Sequence, residues 1–252
     1  TTEIYTLSLH DALPISFRFR QFCVEDRHST MKVGTDAMLL GSWAEPPETG
    51  QMLAIGTGCG VLALMMAQRS QGNIDAIDLD EASSEEAENN FRQSPWASRL
   101  RVIRTDIREY AREKPAYYDF IISNPPFFNR SLKSHQKQRN MARHELCLNY
   151  RELAETVVHM LTPGGRFSMV ATVDGTAQFR KEAISRALHP SGFLRVRSRP
   201  GTDTLRIISE WSFRLIPDIQ TDMLTIMNGE GTYTEDYLAL TRDYHQIGRA
   251  HV

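Results

Sequence analysis

Two short strings carry residue types whose spacing could do chemistry. The first is Ile55-Gly56-Thr57-Gly58-Cys59-Gly60, with a glycine at every second position. Glycines so placed reach positive φ and let the backbone pass close to a ligand, and a helix starting there presents free N–H groups. Alone, the string fits a dinucleotide site, a methyl-donor site or a tight strand–helix turn. The second string is Ser123-Asn124-Pro125-Pro126-Phe127. Its two prolines remove two backbone donors and lock φ. The Asn124 amide offers an acceptor and a donor, and Phe127 offers an apolar face on which a flat ring stacks. Such a set suits a planar amine, with carbonyl oxygens holding the N–H groups and the aromatic ring fixing the plane.

Two carboxylates fall between these strings. Asp78 closes an apolar run 18 residues after Gly60, where a carboxylate can accept both hydroxyls of a ribose. Asp80 and Glu81 beside it suit the start of a helix. Asp106 fits equally a helix cap and a contact to a ligand's adenine edge.

The elements that must position these residues alternate along the chain. Strands are expected at Met52–Ile55, Ile74–Ile77, Arg101–Arg104, Tyr118–Ile122, Arg166–Ala171, Leu194–Arg197 and Arg206–Arg214. Helical spacing covers Val61–Arg69, Glu81–Gln93, Arg151–Leu161, Gln178–Leu188 and Thr232–Tyr244, with Thr162-Pro163-Gly164-Gly165 read as a turn. Strands alternating with helices predict an α/β fold with a mostly parallel, seven-stranded sheet covered on both faces. The last two strands, joined by a Pro-Gly turn, predict an antiparallel edge.

Composition excludes several classes. Three cysteines without C-x-x-C spacing argue against a disulfide framework or a zinc site and for a reducing cytoplasm. No apolar run approaches the ~20 residues of a membrane span. A net charge of −2 gives no global basic field. Basic character is local: Arg130, Lys133, Lys137, Arg139 and Arg143 occur with no acidic residue between Asn129 and His144, and Arg18, Arg20 and Lys32 could extend the patch. A run of this kind can track phosphates, or it can be a solvated loop.

The two ends read differently from the rest. Thr1–Ile15 (TTEIYTLSLHDALPI) and Ile247–Val252 (IGRAHV) match translated sequencing-library adapters. On that reading residues 16–246 are the biological part, with a native start and stop outside it. Removing Glu3, Asp11 and Arg249 with the ends leaves a net charge of −1. Residues 16–50 then form an N-terminal extension and 51–246 one catalytic domain.

Gly56–Gly60, Asp78, Asp106 and Asn124–Phe127 together resemble the class I S-adenosylmethionine-dependent methyltransferases, in their amine-methylating N-P-P-[FY] branch. Five further segments narrow the resemblance: FRFRQF (Phe17–Phe22), MKVGTDAMLLGSW (Met31–Trp43), LALMMAQR (Leu62–Arg69), NFRQSPW (Asn90–Trp96) and Ala142-Arg143-His144. These are similar to the bacterial tRNA(1)(Val) adenine-N(6)-methyltransferases. The resemblance implies a Rossmann-like fold, S-adenosylmethionine as cofactor, and methylation of the adenosine next to the anticodon of a valine tRNA. It implies donor contacts from Lys32, Gly34, Thr35, Asp36, Gly56, Gly58, Gly60, Asp78, Asp106 and Asn124. It places Asn124, Pro125, Pro126 and Phe127 at the reacting amine. A monomer without metal is expected. Two alternatives stay open: the same chemistry on a protein glutamine, rRNA or DNA adenine, or a tRNA-binding protein with a weakened donor pocket. The second arises because the strand before the glycine loop usually ends Asp-Ile-Gly, whereas Ala54-Ile55-Gly56 stands here.

Overall fold

The computed structural model describes residues 16–30, 32–125 and 148–244. Among them, a hairpin of β1 (Ser16–Arg18) and β2 (Cys23–Glu25) precedes helix α1 (Thr35–Trp43). Then follow β3 (Gln51–Ile55), α2 (Val61–Arg69), β4 (Asn73–Asp78), α3 (Glu81–Arg92), β5 (Leu100–Arg104), α4 (Ile107–Ala111) and β6 (Tyr118–Ser123). The second half holds α5 (Tyr150–Met160), β7 (Leu161–Ala171), α6 (Val173–Ile184), β8 (His189–Arg197), β9 (Arg206–Ser212), β10 (Gln220–Thr225) and α7 (Glu235–Thr241).

The main sheet has the order β10-β8-β9-β7-β6-β3-β4-β5. Its strands are parallel except β9, which runs antiparallel to both β7 and β8. The chain moves outward from β3 through β4 to β5, then returns to lay β6 on the other side of β3. That reversal is the switch point at which open α/β sheets bind ligands, outside the carboxyl ends of the strands. Register fixes the site there, because Ile55 lies opposite Ser123. The glycine loop and the Ser123–Pro125 segment therefore leave the sheet side by side.

Both faces are covered, as near-continuous apolar strands require. Alternation along β3 sends Met52 and Ala54 into the cluster with α1 and α2, and Leu53 and Ile55 into the cluster with α5 and α6.

The α/β class and the mostly parallel sheet agree with the sequence reading, and four details differ. The sheet has an eighth strand, β10, which pairs parallel to β8 and takes the edge, so the antiparallel strand is internal. In its sequence, QTDMLT, only Leu224 is buried, leaving no clear apolar alternation to find. The Thr162–Gly165 segment does not end at a turn. Leu161 pairs with Tyr118 and Arg166 with Phe120, so these four residues form a bulge inside β7. Helix α6 begins at Val173, not Gln178, with the Thr172 hydroxyl accepting from Gly175 N at 3.0 Å. Within it a side chain at Gly175 would collide with the Tyr150 hydroxyl, so this glycine serves close packing of α6 on α5. Helix α7 spans only Glu235–Thr241. Tyr233 lies before it and stacks on Tyr237 at 4.6 Å, while Tyr244 lies after it and donates to Met65 O at 3.0 Å.

Candidate active site

The glycine loop is shaped by three positive φ angles: +66° at Gly56, +55° at Gly58 and +87° at Gly60. Their surroundings differ. A Cβ at Gly56 would meet nothing within 4 Å, so this residue opens onto the crevice. A Cβ at Gly60 would lie 2.5 Å from the Phe91 ring, so this glycine lets α2 start against α3. Thr57 N donates to Ile77 O at 2.9 Å and pins the loop to β4. Cys59 lies buried within it, and burial pushes its thiol up to about 12, which keeps it neutral.

Asp78 ends β4 under this loop. One carboxylate oxygen accepts from Gly58 N at 2.8 Å and the other from Asp80 N at 3.0 Å. Burial raises its pKa above the ordinary carboxylate value, an effect only partly offset by these backbone donors. A carboxylate has about four acceptor positions, which the backbone N–H groups of Gly58, Leu79 and Asp80 do not fill, so a ribose hydroxyl can still be received. Asp106, by contrast, is the N-cap of α4. It accepts from Arg108 N at 2.8 Å, and the Arg108 guanidinium grips both its oxygens and reaches Glu152 at 3.2 Å. The bonded guanidinium holds its carboxyl below the usual range. Of the two expectations for Asp106, the structure shows the cap.

The carboxyl end of β6 supplies the second half of the site. Ser123 Oγ donates to Ile55 O at 3.0 Å and ties β6 to the loop strand. Asn124 and Pro125 are buried. The Asn124 Oδ1 atom has no hydrogen-bond partner among the described residues. A buried, unpaired amide oxygen costs stability, and one at a ligand crevice is an acceptor waiting for a donor. Pro126 and Phe127 lie outside the described residues, as do Arg130, Lys133, Lys137, Arg139 and Arg143.

The N-terminal extension reaches the same edge. Residues 25–30 run along α3, and Gly34 then caps α1. Lys32 Nζ lies 3.3 Å from Asp26 Oδ1, Thr35 is exposed, and Asp36 accepts from Arg206 Nε at 2.9 Å at the start of β9. Because β9 is antiparallel, its start lies at the carboxyl edge, so this ion pair brings α1 there. The Lys32 and Asp36 charges are thus met within the protein. Arg18 and Arg20 are exposed on the hairpin, which packs its Phe22 ring on Trp96 at 5.7 Å.

Sequence reasoning missed Asp26, Glu86 and Asn90. Asp26 is fully buried and accepts from Val33 N, closing the extension on itself. Glu86 and Asn90 hold the extension to α3. Their partners lie 57 to 65 residues away along the chain, beyond any local pattern, and only the spacing of polar residues on one face of α3 hints at a role.

A family model, the methyltransferase small domain, matches residues 27–188. A tRNA1(Val) (adenine(37)-N6)-methyltransferase of Bacteroides fragilis is 38% identical over 91% of this chain and 97% of its own length. The protein of the same name from Phocaeicola vulgatus is 39% identical over 91% of this chain and 97% of its own length. In fold, the chain is similar to a structure described as a predicted O-methyltransferase from Agrobacterium tumefaciens. That likeness has a TM-score of 0.60 at 17% identity, covering 83% of this chain and 96% of the other. On this evidence the chain belongs to the methyltransferase small domain family and, within it, to the tRNA1(Val) (adenine(37)-N6)-methyltransferases.

Proposed function

We propose that this protein transfers a methyl group from S-adenosylmethionine to the 6-amino group of the adenosine at position 37 of tRNA1(Val). The activity is carried over from the relatives named above. The observation that carries it in this chain is the Asn124 amide oxygen, buried and unpaired beside an open glycine loop.

The residues fit the donor. Open space above Gly56 admits its amino-acid part past the backbone. Asp78 would receive the ribose at the acceptor capacity its backbone donors leave. Lys32, Gly34, Thr35 and Asp36 would meet the donor from the extension, and Asp106 would meet it from the far side of β5. S-adenosylmethionine supplies a methyl already activated on a sulfonium, so the protein's task is alignment for in-line attack. Asn124 Oδ1 and the Pro125 carbonyl would each accept one N–H of the 6-amino group. Held so, the nitrogen keeps its lone pair on the methyl side, and its proton leaves to water after transfer. Pro126 would stiffen the segment and Phe127 would stack on the extruded base, which costs less to extract from a loop than from a paired stem.

Arg130, Lys133, Lys137, Arg139 and Arg143 follow the motif and are the basic residues proposed to meet tRNA phosphates, with Arg18 and Arg20 extending them. The protein would act as a monomer in the cytoplasm. Among the described residues no helix is long and apolar enough to cross a membrane, and no group of three His, Cys, Asp or Glu could hold a metal ion.

The test is methyl-labelled donor offered with unmodified tRNA, rRNA, DNA and a release factor separately. Label in the tRNA alone is expected. Label in another acceptor sinks the assignment, and tRNA binding without any label sinks the enzyme reading.

A further inference from the structure

One face of α3 carries Ser83, Glu86 and Asn90, spaced three and four residues apart and therefore in one row. All three are buried, although α3 has seven charged or amide residues in its twelve and would be expected to turn such groups outward. The row meets the backbone of the N-terminal extension. Asn90 Oδ1 accepts from Glu25 N at 2.9 Å and its Nδ2 donates to Glu25 O at 2.9 Å. Glu86 accepts from three successive backbone N–H groups: Arg27 at 2.6 Å, His28 at 3.1 Å and Ser29 at 2.9 Å. Ser83 Oγ accepts from Thr30 N at 3.2 Å.

Three consecutive N–H groups converging on one point form an anion-binding concavity, and here the anion is the protein's own. Bonds of this kind to an ionised carboxylate are roughly twice as strong as neutral ones. Their geometric consequence reaches both ends of the segment. Beyond residue 30 the chain turns back so that Val33 N donates to buried Asp26, whose position is set by Glu25 and Arg27 on either side. Gly34, Thr35 and Asp36 follow directly. On its other side the Asn90 amide also donates to Cys59 O at 2.8 Å, inside the glycine loop. The same helix row therefore grips the extension and the loop, the two walls between which the donor is placed.

We propose that Glu86 is a positioning residue for the methyl donor: its carboxylate folds residues 27–29 into a clamp that fixes Lys32–Asp36 against the glycine loop. The inference rests on the donor site proposed above. Glu86 touches neither donor nor RNA, so its loss acts on donor affinity and leaves the chemistry intact.

The experiment measures S-adenosylhomocysteine affinity by calorimetry and steady-state kinetics on tRNA for Glu86→Gln, Glu86→Ala and Asp78→Ala. Glu86→Gln keeps the shape but turns one oxygen into an N–H₂ facing backbone donors. It is expected to weaken binding by about tenfold, and Glu86→Ala by more, as loss of charge-assisted bonds implies. Donor KM rises in step, while kcat at saturating donor stays within about twofold, the pattern of lost uniform binding. Trypsin cleavage after Arg27 accelerates in both variants, and S-adenosylhomocysteine slows it in the parent protein. If Glu86→Ala fails to fold, Glu86→Gln decides. Parent affinity and parent cleavage in Glu86→Gln, or a fall in kcat without a rise in donor KM, overturns the proposal. Asp78→Ala separates the two layers. If it too leaves affinity unchanged, the donor site itself is misplaced; if it alone weakens binding, only the role of Glu86 is wrong.

Discussion

Ser123 and Asn124 are neighbours, both buried at the carboxyl end of β6, and their truncation to alanine should move stability in opposite directions. Ser123 Oγ is satisfied by Ile55 O at 3.0 Å. Losing such a bond costs about 0.5–1.5 kcal/mol, which for a chain of this size lowers Tm by roughly 1–6 °C. Asn124 Oδ1 has no partner among the described residues, and an orphaned buried acceptor carries a penalty of about 1–3 kcal/mol. Removing it relieves that penalty and leaves only a small void, so Asn124→Ala should melt at or above the parent temperature. Turnover should behave the other way. An electrostatic contact realised at the reacting group is worth about 10²–10³ in kcat, so Asn124→Ala should lose at least that factor while binding S-adenosylhomocysteine normally. Ser123→Ala should keep most of its rate. Differential scanning fluorimetry of the donor-free proteins and a methyl-transfer assay provide both readouts. An Asn124→Ala protein that melts below Ser123→Ala, or that turns over like the parent, refutes the assignment of Asn124 as a functional acceptor held at a cost in stability.

Three further outcomes follow from the same structure. Ionised Asp78 is the better acceptor for a ribose hydroxyl, and burial raises its pKa; donor affinity should therefore fall, as pH drops, earlier than for an ordinary carboxylate, and calorimetry should show a flatter profile in Asp78→Asn. For stability the sign reverses: a raised folded-state pKa contributes stability below the unfolded value that is lost as pH rises through the folded one. Ala54 is buried on β3, at the position where the resemblance leads one to expect aspartate; Ala54→Asp should tighten S-adenosylhomocysteine binding in calorimetry, and unchanged affinity would show that alanine serves equally there. Asp75 accepts from Tyr118 Oη at 2.6 Å, from Tyr110 Oη at 3.0 Å and from Arg101. Burial alone would raise the Asp75 pKa, but these donors outweigh it and hold it low. Its stabilisation is present above the unfolded pKa and lost as pH falls through the folded value. Tyr118→Phe should cost about 1–3 kcal/mol at neutral pH in urea melts, and less in acid.

The legible parts of this molecule were those whose physics is local. Gly56, Gly58 and Gly60 demand positive φ, and each has it. The helical spacing over Val61–Arg69 and Glu81–Gln93 is met by α2 and, with Gln93 as its C-cap, by α3. Asp106 was legible only as two possibilities, because a cap and a ligand contact call for the same side chain at the same strand end. The clamp on α3 was illegible. Nothing near Glu86 says that three N–H groups from residues 27–29 will meet it; that depends on how the extension crosses the helix. The edge strand β10 was hidden for a related reason: with one neighbour and mostly exposed positions it needs little apolar sequence.

Fragment mass spectrometry of unmodified tRNA1(Val), after incubation with the protein and S-adenosylmethionine, reads the methylated atom itself. One methyl group is expected, on N6 of adenosine 37. An unmodified anticodon loop, or methylation confined to another nucleotide, would contradict it.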